Sequence, residues 1–194
     1  GTWSISLNPF NDSPLTETEL EQDCLCYLTY EGQPVKASRL FAGQEHDDGV
    51  KQIAQRFDKP IDHYKKVTFD GIFIQRLQQS NSASMPTTFE EAYHQLILNL
   101  VKKQKTSAEL VIQKTAVTKI FVDGGFSQND IYMRLLARAF PEKKIYDASL
   151  HQASALGAAM VIHDQWNNHP LPHQMIDLID YSFEDKKDIK DAQS

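Results

Sequence analysis

The sequence predicts an α/β fold with parallel strands, and three observations lead there. The stretch "VTKIFVDGGFSQND" at 117–130 is a short apolar run that ends in an acid and two glycines, then opens an amphipathic helix. "KKIYDA" at 143–148 reads as a second strand and "QASALGAAMVIHDQW" at 152–166 as a second helix, so the last half runs β-α-β-α. Alternating strands and helices imply parallel strands covered by helices. Finally, 194 residues at 41% hydrophobic content suffice for one domain with a real core, or for a domain plus a tail.

The elements follow in order. "WSISL" at 3–7 alternates and is rich in β-formers, which predicts a strand. "NPFNDSP" is a turn cluster. "LTETELEQD" reads as a short polar helix or a loop, and the spacing of Thr16 and Glu19 fits a capping box. "CLCYLTY" is a second strand, "EGQP" turns it, and "VKAS" continues as a third, a hairpin signal. Residues 38–57 look helical in two pieces, interrupted by Gly43 and Gly49, with an apolar stripe of Leu40, Phe41, Val50, Ile53, Ala54 and Phe57. Within 58–86, "KKVTFDGIFI" reads as a strand or an extended connection, and "QQSNSASMP" as a polar loop of the kind that borders a site.

Thr87 or Thr88 starts the clearest helix, "FEEAYHQLILNLVKKQK". Its apolar residues recur at helical spacing, with acids in the first turn and lysines in the last, which suits the helix dipole. Pro141 stops the helix at 129–140. The segment 166–194 is expected to be an irregular tail with one short helix around 175–181 and mobile final residues.

Charge and composition narrow the function. Twenty basic against twenty-six acidic residues leave a net charge of -6, with no basic stripe, so nucleic acid is not an expected partner. No apolar run approaches the roughly 20 residues that span a bilayer, and the first residues lack a signal-peptide pattern. A cytoplasmic setting without membrane contact is the expectation. Cys24 and Cys26 would share one face of a strand, and no Cys/His set has metal-ligand spacing. They read as reduced structural thiols.

The turn at Asp123, Gly124 and Gly125 lies at the carboxyl end of a predicted parallel strand, where open α/β sheets bind ligands. Two glycines permit positive φ and leave the backbone bare to a flat or phosphorylated ligand. Ser127 and Asn129 sit at or near the following N-cap, where free amides favour an anion. On the stretch alone an ordinary strand-to-helix turn is the favoured reading, and the glycine patterns of dinucleotide-binding and phosphate-binding loops are absent. A second feature is "ASALGAAM" at 153–160. Gly157 inside that helix costs roughly 1 kcal/mol against Ala, which implies close approach to a strand, a loop or a ligand.

Taken together, these stretches resemble the C-terminal part of an FGGY-family carbohydrate kinase, of the actin–Hsp70–sugar kinase superfamily. "DGGFSQN" resembles the family's adenosine motif. "QASALGAAM" resembles its small-residue helix, with Gln152 where Glu is usual. "GTWSISL" resembles the second phosphate loop of rhamnulokinase-like members, and the three come in the family's order. The match runs from residue 1 to about 165. It implies an actin-like ATPase, ribonuclease H-like domain: a mixed sheet with helices on both faces, its first strand missing from this sequence. The residues after 165 would form the tail.

The resemblance also assigns roles. Gly1 and Thr2 would hold the β- and γ-phosphates of ATP. Gly125 would let the adenosine lie against the main chain, Asn129 would hydrogen-bond the nucleoside, and Gly124 and Ser127 would shape the turn. The family transfers a phosphoryl group from Mg2+-ATP to a sugar hydroxyl, with an Asp acting on that hydroxyl. That base is expected upstream of residue 1, and Asp70, Asp123 and Asp147 do not match its position. The sugar-contacting Asn of rhamnulokinase-like members corresponds to Leu40 in "RLFAG", so no sugar contact carries over. The implied substrate is a ketose of the L-rhamnulose, L-fuculose or D-xylulose type, with the chain alone inactive. Two other readings stand beside it: a non-catalytic half-domain used for binding or homo-oligomerisation, and another actin-like ATPase.

Overall fold

The computed structural model describes residues 2–79, 85–148, 153–171 and 175–182. Two three-stranded sheets lie against a shared helical core. The first sheet has the order β1-β3-β2, formed by β1 (Ser4–Asn8), β2 (Cys24–Leu28) and β3 (Pro34–Leu40), all antiparallel. In β1 the usual alternation is inverted. Ser4, Ser6 and Asn8 turn inward and bond to one helix, while Ile5 and Leu7 point outward, 47% and 58% exposed. The hairpin between β2 and β3 turns through Gly32 at φ +82. Cys24 is buried and Cys26, two residues on, is exposed, because β2 runs out of the protein.

Helix α1 (Glu17–Glu21) carries the capping box. Glu19 N–H donates to Thr16 Oγ1 at 3.2 Å, and Thr16 N–H donates to Glu19 Oε2 at 2.9 Å. The other Glu19 oxygen receives Lys36 Nζ at 2.8 Å, which satisfies a lysine only 3% exposed. That bond holds the Glu19 carboxyl below its usual range.

Residues 38–57 are not a helix in two pieces. The strand β3 runs to Leu40, and α2 (Ala42–Arg56) is one unbroken helix through both glycines. Gly49 is there for packing: a Cβ at that position would lie 2.6 Å from Leu96 Cδ1. "KKVTFDGIFI" is likewise not a strand. A 3-10 turn (His63–Lys66) leads to α3 (Gly71–Gln79), whose first amides, on Ile72 and Phe73, donate to Asp70 Oδ1. The carboxylate before the glycine is a helix start that the apolar run around it obscures. Most of the polar loop "QQSNSASMP" lies outside the described residues.

Helix α4 (Phe89–Ile112) is capped by Thr88 and outlasts its expected end. Its lysines therefore fall in mid-helix and its last turn has no basic residue, because Ser107 and Ala108 carry the buried stripe through the polar "KTSAE" to Val111. Strand β4 (Lys119–Val122), helix α5 (Asp130–Ala139) and strand β5 (Lys144–Asp147) form the expected parallel unit, with Ile120 opposite Ile145. The core sits where α4 crosses α5, with Tyr93, Ile97, Leu100, Met133, Phe140 and Ile145 all but inaccessible.

The helix expected at 152–166 is two helices, α6 (Ala153–Val161) and α7 (His163–Trp166); Gln152 lies outside the described residues. A Cβ on Gly157 would meet nothing within 4 Å, so no close approach explains that glycine here. Met160, Val161, Ile162 and Trp166 are exposed, which fits a helix whose main described contacts are with α7 alone. The short helix expected around 175–181 is instead β6 (Ile179–Asp180), antiparallel to β5. Backbone pairing to an open edge overrides the local pattern there: Tyr181 N–H donates to Ile145 O, and Ile145 N–H donates to Ser182 Oγ. Among the described residues no helix is long and apolar enough to cross a membrane.

Candidate functional site

One groove of 1340 Å³ runs between the two sheets. Its walls are β1 and β4, and its floor is α4 and α5 through residues such as Val111 and Leu136. The two strands run in opposite directions. Asn8 lies against the end of α4, to which it donates at Val111 O (2.8 Å), while Thr2 lies at the start of α2. Each is an edge strand with one partner among the described residues.

Of the predicted site residues, Thr2, Gly124, Gly125 and Asn129 line this groove. Thr2 is anchored by its main chain: its carbonyl accepts from Gly43 N at 3.0 Å and Gln44 N at 3.3 Å. Trp3 packs edge-on to Phe41 (4.6 Å), fixing the strand entry against α2. Thr2 itself stays exposed and lines the groove; Gly1 lies outside the described residues.

The turn after β4 is over-determined. Gly124 sits at φ +85, a conformation that needs glycine, and its N–H donates to Asp123 Oδ1 at 2.7 Å. Ser127 is buried, and both its N–H (3.2 Å) and its Oγ (2.9 Å) donate to Gly124 O. Ser127 therefore closes the turn and does not face the groove. Gly125 does, with open space where a Cβ would stand. Asn129 caps α5: its Oδ1 accepts from Tyr132 N at 3.1 Å, and its Nδ2 donates to the Tyr93 hydroxyl at 2.9 Å.

Sequence reasoning missed what surrounds Asn129. His46 of α2 stands edge-on to Tyr64 (5.2 Å), Tyr93 (5.9 Å) and Phe126 (5.9 Å). Phe126 stacks on Tyr132 at 4.6 Å. Periodicity showed Tyr93 only as a core position of α4, and nothing local marked His46, since the two meet across 47 residues. Burial pushes the Tyr93 hydroxyl well above its ordinary pKa, so it is a neutral donor and acceptor. Asp70 caps α3, and neither it nor Asp147 lines the groove; Asp123 does, but its Oδ1 holds the turn. Leu40 packs against the core.

The bare backbone at Gly125, the exposed Thr2 and the cap at Asn129 suit a flat ligand with an anionic tail: main chain and ring for one end, amides and hydroxyl for the other. Among the described residues no three His, Cys, Asp or Glu side chains are grouped to hold a metal ion.

Comparison with known proteins identifies the family and the fold. Residues 1–170 match the family model described as "Carbohydrate kinase FGGY, C-terminal domain". Among solved structures the chain is similar to a carbohydrate kinase from Novosphingobium aromaticivorans, with a TM-score of 0.66 at 19% sequence identity. The likeness covers 94% of this chain and 40% of that one, and it shows the mixed α/β fold of an actin-like ATPase. No curated protein matches the sequence.

Proposed function

Since the chain belongs to the FGGY carbohydrate kinases, as their C-terminal domain, we propose that it is the ATP-binding part of a sugar kinase. The enzyme would transfer the γ-phosphoryl group of ATP to a hydroxyl of a ketose of the L-rhamnulose, L-fuculose or D-xylulose type. The observation that carries this reading is the meeting of two features on one groove: a glycine turn with an open backbone face and the exposed, anchored Thr2.

In this reading Gly125 offers main chain to the adenosine, Gly124 and Ser127 hold the turn, and Asn129 orients the nucleoside. Thr2, with Gly1 beside it, receives the β- and γ-phosphates. Bound Mg2+ would neutralise phosphate charge, held by the phosphate oxygens and water more than by this chain. The residues assigned here bind and orient; none takes a proton from the sugar. That base is assigned to a part of the protein outside residues 1–194, so these residues alone bind ATP without turning over sugar.

Calorimetric titration with Mg2+-ATP tests the reading. Wild type is expected to bind, and Gly125→Val and Asn129→Ala to bind at least tenfold more weakly. Equal affinities, or no binding by wild type, would defeat it.

A second reading has one observation in its favour. The facing edges of β1 and β4, with Ile5 and Leu7 outward and Phe121 54% exposed, invite an extended segment or a second copy. In that reading the chain is a binding or self-association module. A monomer by light scattering, with ATP binding intact, would sink it.

A further inference from the structure

We propose that Tyr93 and His46 are positioning residues for Asn129, linked to it by one directed chain of hydrogen bonds that ends at Asp47. The inference rests on the nucleotide reading above and extends it to residues on two other helices.

The direction of the chain follows from valence. Asn129 Oδ1 faces the Tyr132 N–H, which can only donate, so the carboxamide orientation is set and Nδ2 must be the atom facing Tyr93. One Nδ2 hydrogen then goes to the Tyr93 oxygen at 2.9 Å. Tyr93 is 1% exposed, so its own hydrogen needs an acceptor, and the acceptor in place among the described residues is His46 Nε2 at 3.2 Å. Accepting at Nε2 puts the imidazole proton on Nδ1, which faces Asp47 Oδ1 at 3.3 Å. Every donor points the same way, from Asn129 through Tyr93 and His46 to Asp47.

This matters for a ligand because a carboxamide is planar. Holding Oδ1 on Tyr132 N–H and one Nδ2 hydrogen on Tyr93 fixes the plane, and with it the direction of the second Nδ2 hydrogen. That hydrogen is the donor Asn129 retains for a nucleoside in the groove. The cap alone would leave the plane free to rock. The rings of Tyr64, Tyr93 and Phe126 around His46 keep the imidazole from turning away. Three helices thus set one amide before any ligand arrives, which is how a site lowers the ordering cost of binding.

The test has two independent readouts on the full-length protein. Nitrogen-15 NMR of the histidine rings reports the tautomer, with the His46 signal assigned by its loss in His46→Gln. The expected result is the Nδ1–H form in wild type without nucleotide and a mixture of forms in Tyr93→Phe, which keeps the ring but lacks the hydroxyl. Titration with Mg2+-ATP should show about tenfold weaker binding for Tyr93→Phe and His46→Leu. His46→Gln, whose carbonyl can accept from Tyr93, should return most of the affinity. An Nε2–H tautomer in wild type overturns the chain. Wild-type affinity in Tyr93→Phe overturns the positioning role and leaves the nucleotide site standing. Failure of wild type to bind ATP overturns both the site and the positioning role, whatever the tautomer shows.

Discussion

At the residue scale, the two glycines of the turn do different work, and substitution separates them. Gly124 is needed for its backbone angle, so Gly124→Ala should destabilise the protein by about 1–2 kcal/mol, measured by chemical denaturation. Gly125 has open space beyond its Cα, so Gly125→Val should leave the denaturation midpoint nearly unchanged while blocking ATP. His94 is a second case where one side chain decides. Its Nδ1–H donates to Glu90 O at 2.8 Å and its Nε2 accepts from Asp70 N–H at 3.0 Å, so the ring must be neutral to tie α3 to α4. Burial holds its pKa below the ordinary 6.5. The unfolded chain then takes up the proton first. The His94 contribution is whole above pH 6.5 and drains away as pH falls from there toward the depressed native value. Unfolding free energies at pH 7.5 and 5.5 should show a loss on acidification that shrinks in His94→Gln. A slope equal in both proteins would refute the assignment. The sequence showed both glycines and the Asn129 cap, because turns and caps are local chemistry. It hid the role of His94, whose partner Asp70 is 24 residues away.

At the element scale, the contact of α2 with α4 is set by what Gly49 lacks. Alanine would favour the helix by about 1 kcal/mol in the absence of a neighbour. Its Cβ, however, would stand 2.6 Å and 2.8 Å from the two Leu96 methyls, so the whole leucine must move. Gly49→Ala should therefore lower stability in wild type and raise it in a Leu96→Ala background. That sign change is readable in a double-mutant cycle, and additive effects would argue against the contact. The same closeness explains why α2 is unbroken where the glycines suggested two pieces: tertiary packing overrides propensity. The end of α4 was missed for a related reason. "KTSAE" looks like a helix end, yet Ser107 bonds to Ser38 of β3 at 3.0 Å and gains a reason to stay helical.

At the scale of the whole molecule, the groove joins the two sheets through their edges, and ATP binding should be felt throughout. Ligand at a hundred times its Kd should raise the unfolding free energy by about 2.7 kcal/mol. A thermal shift that grows with ATP and is absent in Gly125→Val would check it. The outward apolar row of β1 makes a separate demand. If Ile5 and Leu7 meet another body in the complete protein, Leu7→Lys should expose that joint as lost association or lowered stability. In a chain where nothing covers them the change is near neutral.

The strand β1, the hairpin of β2 and β3, the start of α4, the parallel unit around β4 and β5, the glycine turn and its cap were all determined by the sequence itself. Each depends on residues within a few positions of one another, where periodicity, capping and backbone freedom act. The strand at Ile179–Asp180, the unbroken α2, the exposed face of α6 and the setting of Asn129 by Tyr93 and His46 were decided only in three dimensions. Each of these depends on an edge, a cavity or a hydrogen-bond partner supplied by chain far away in sequence, or on a covering surface absent from the described residues, and no local pattern records such neighbours.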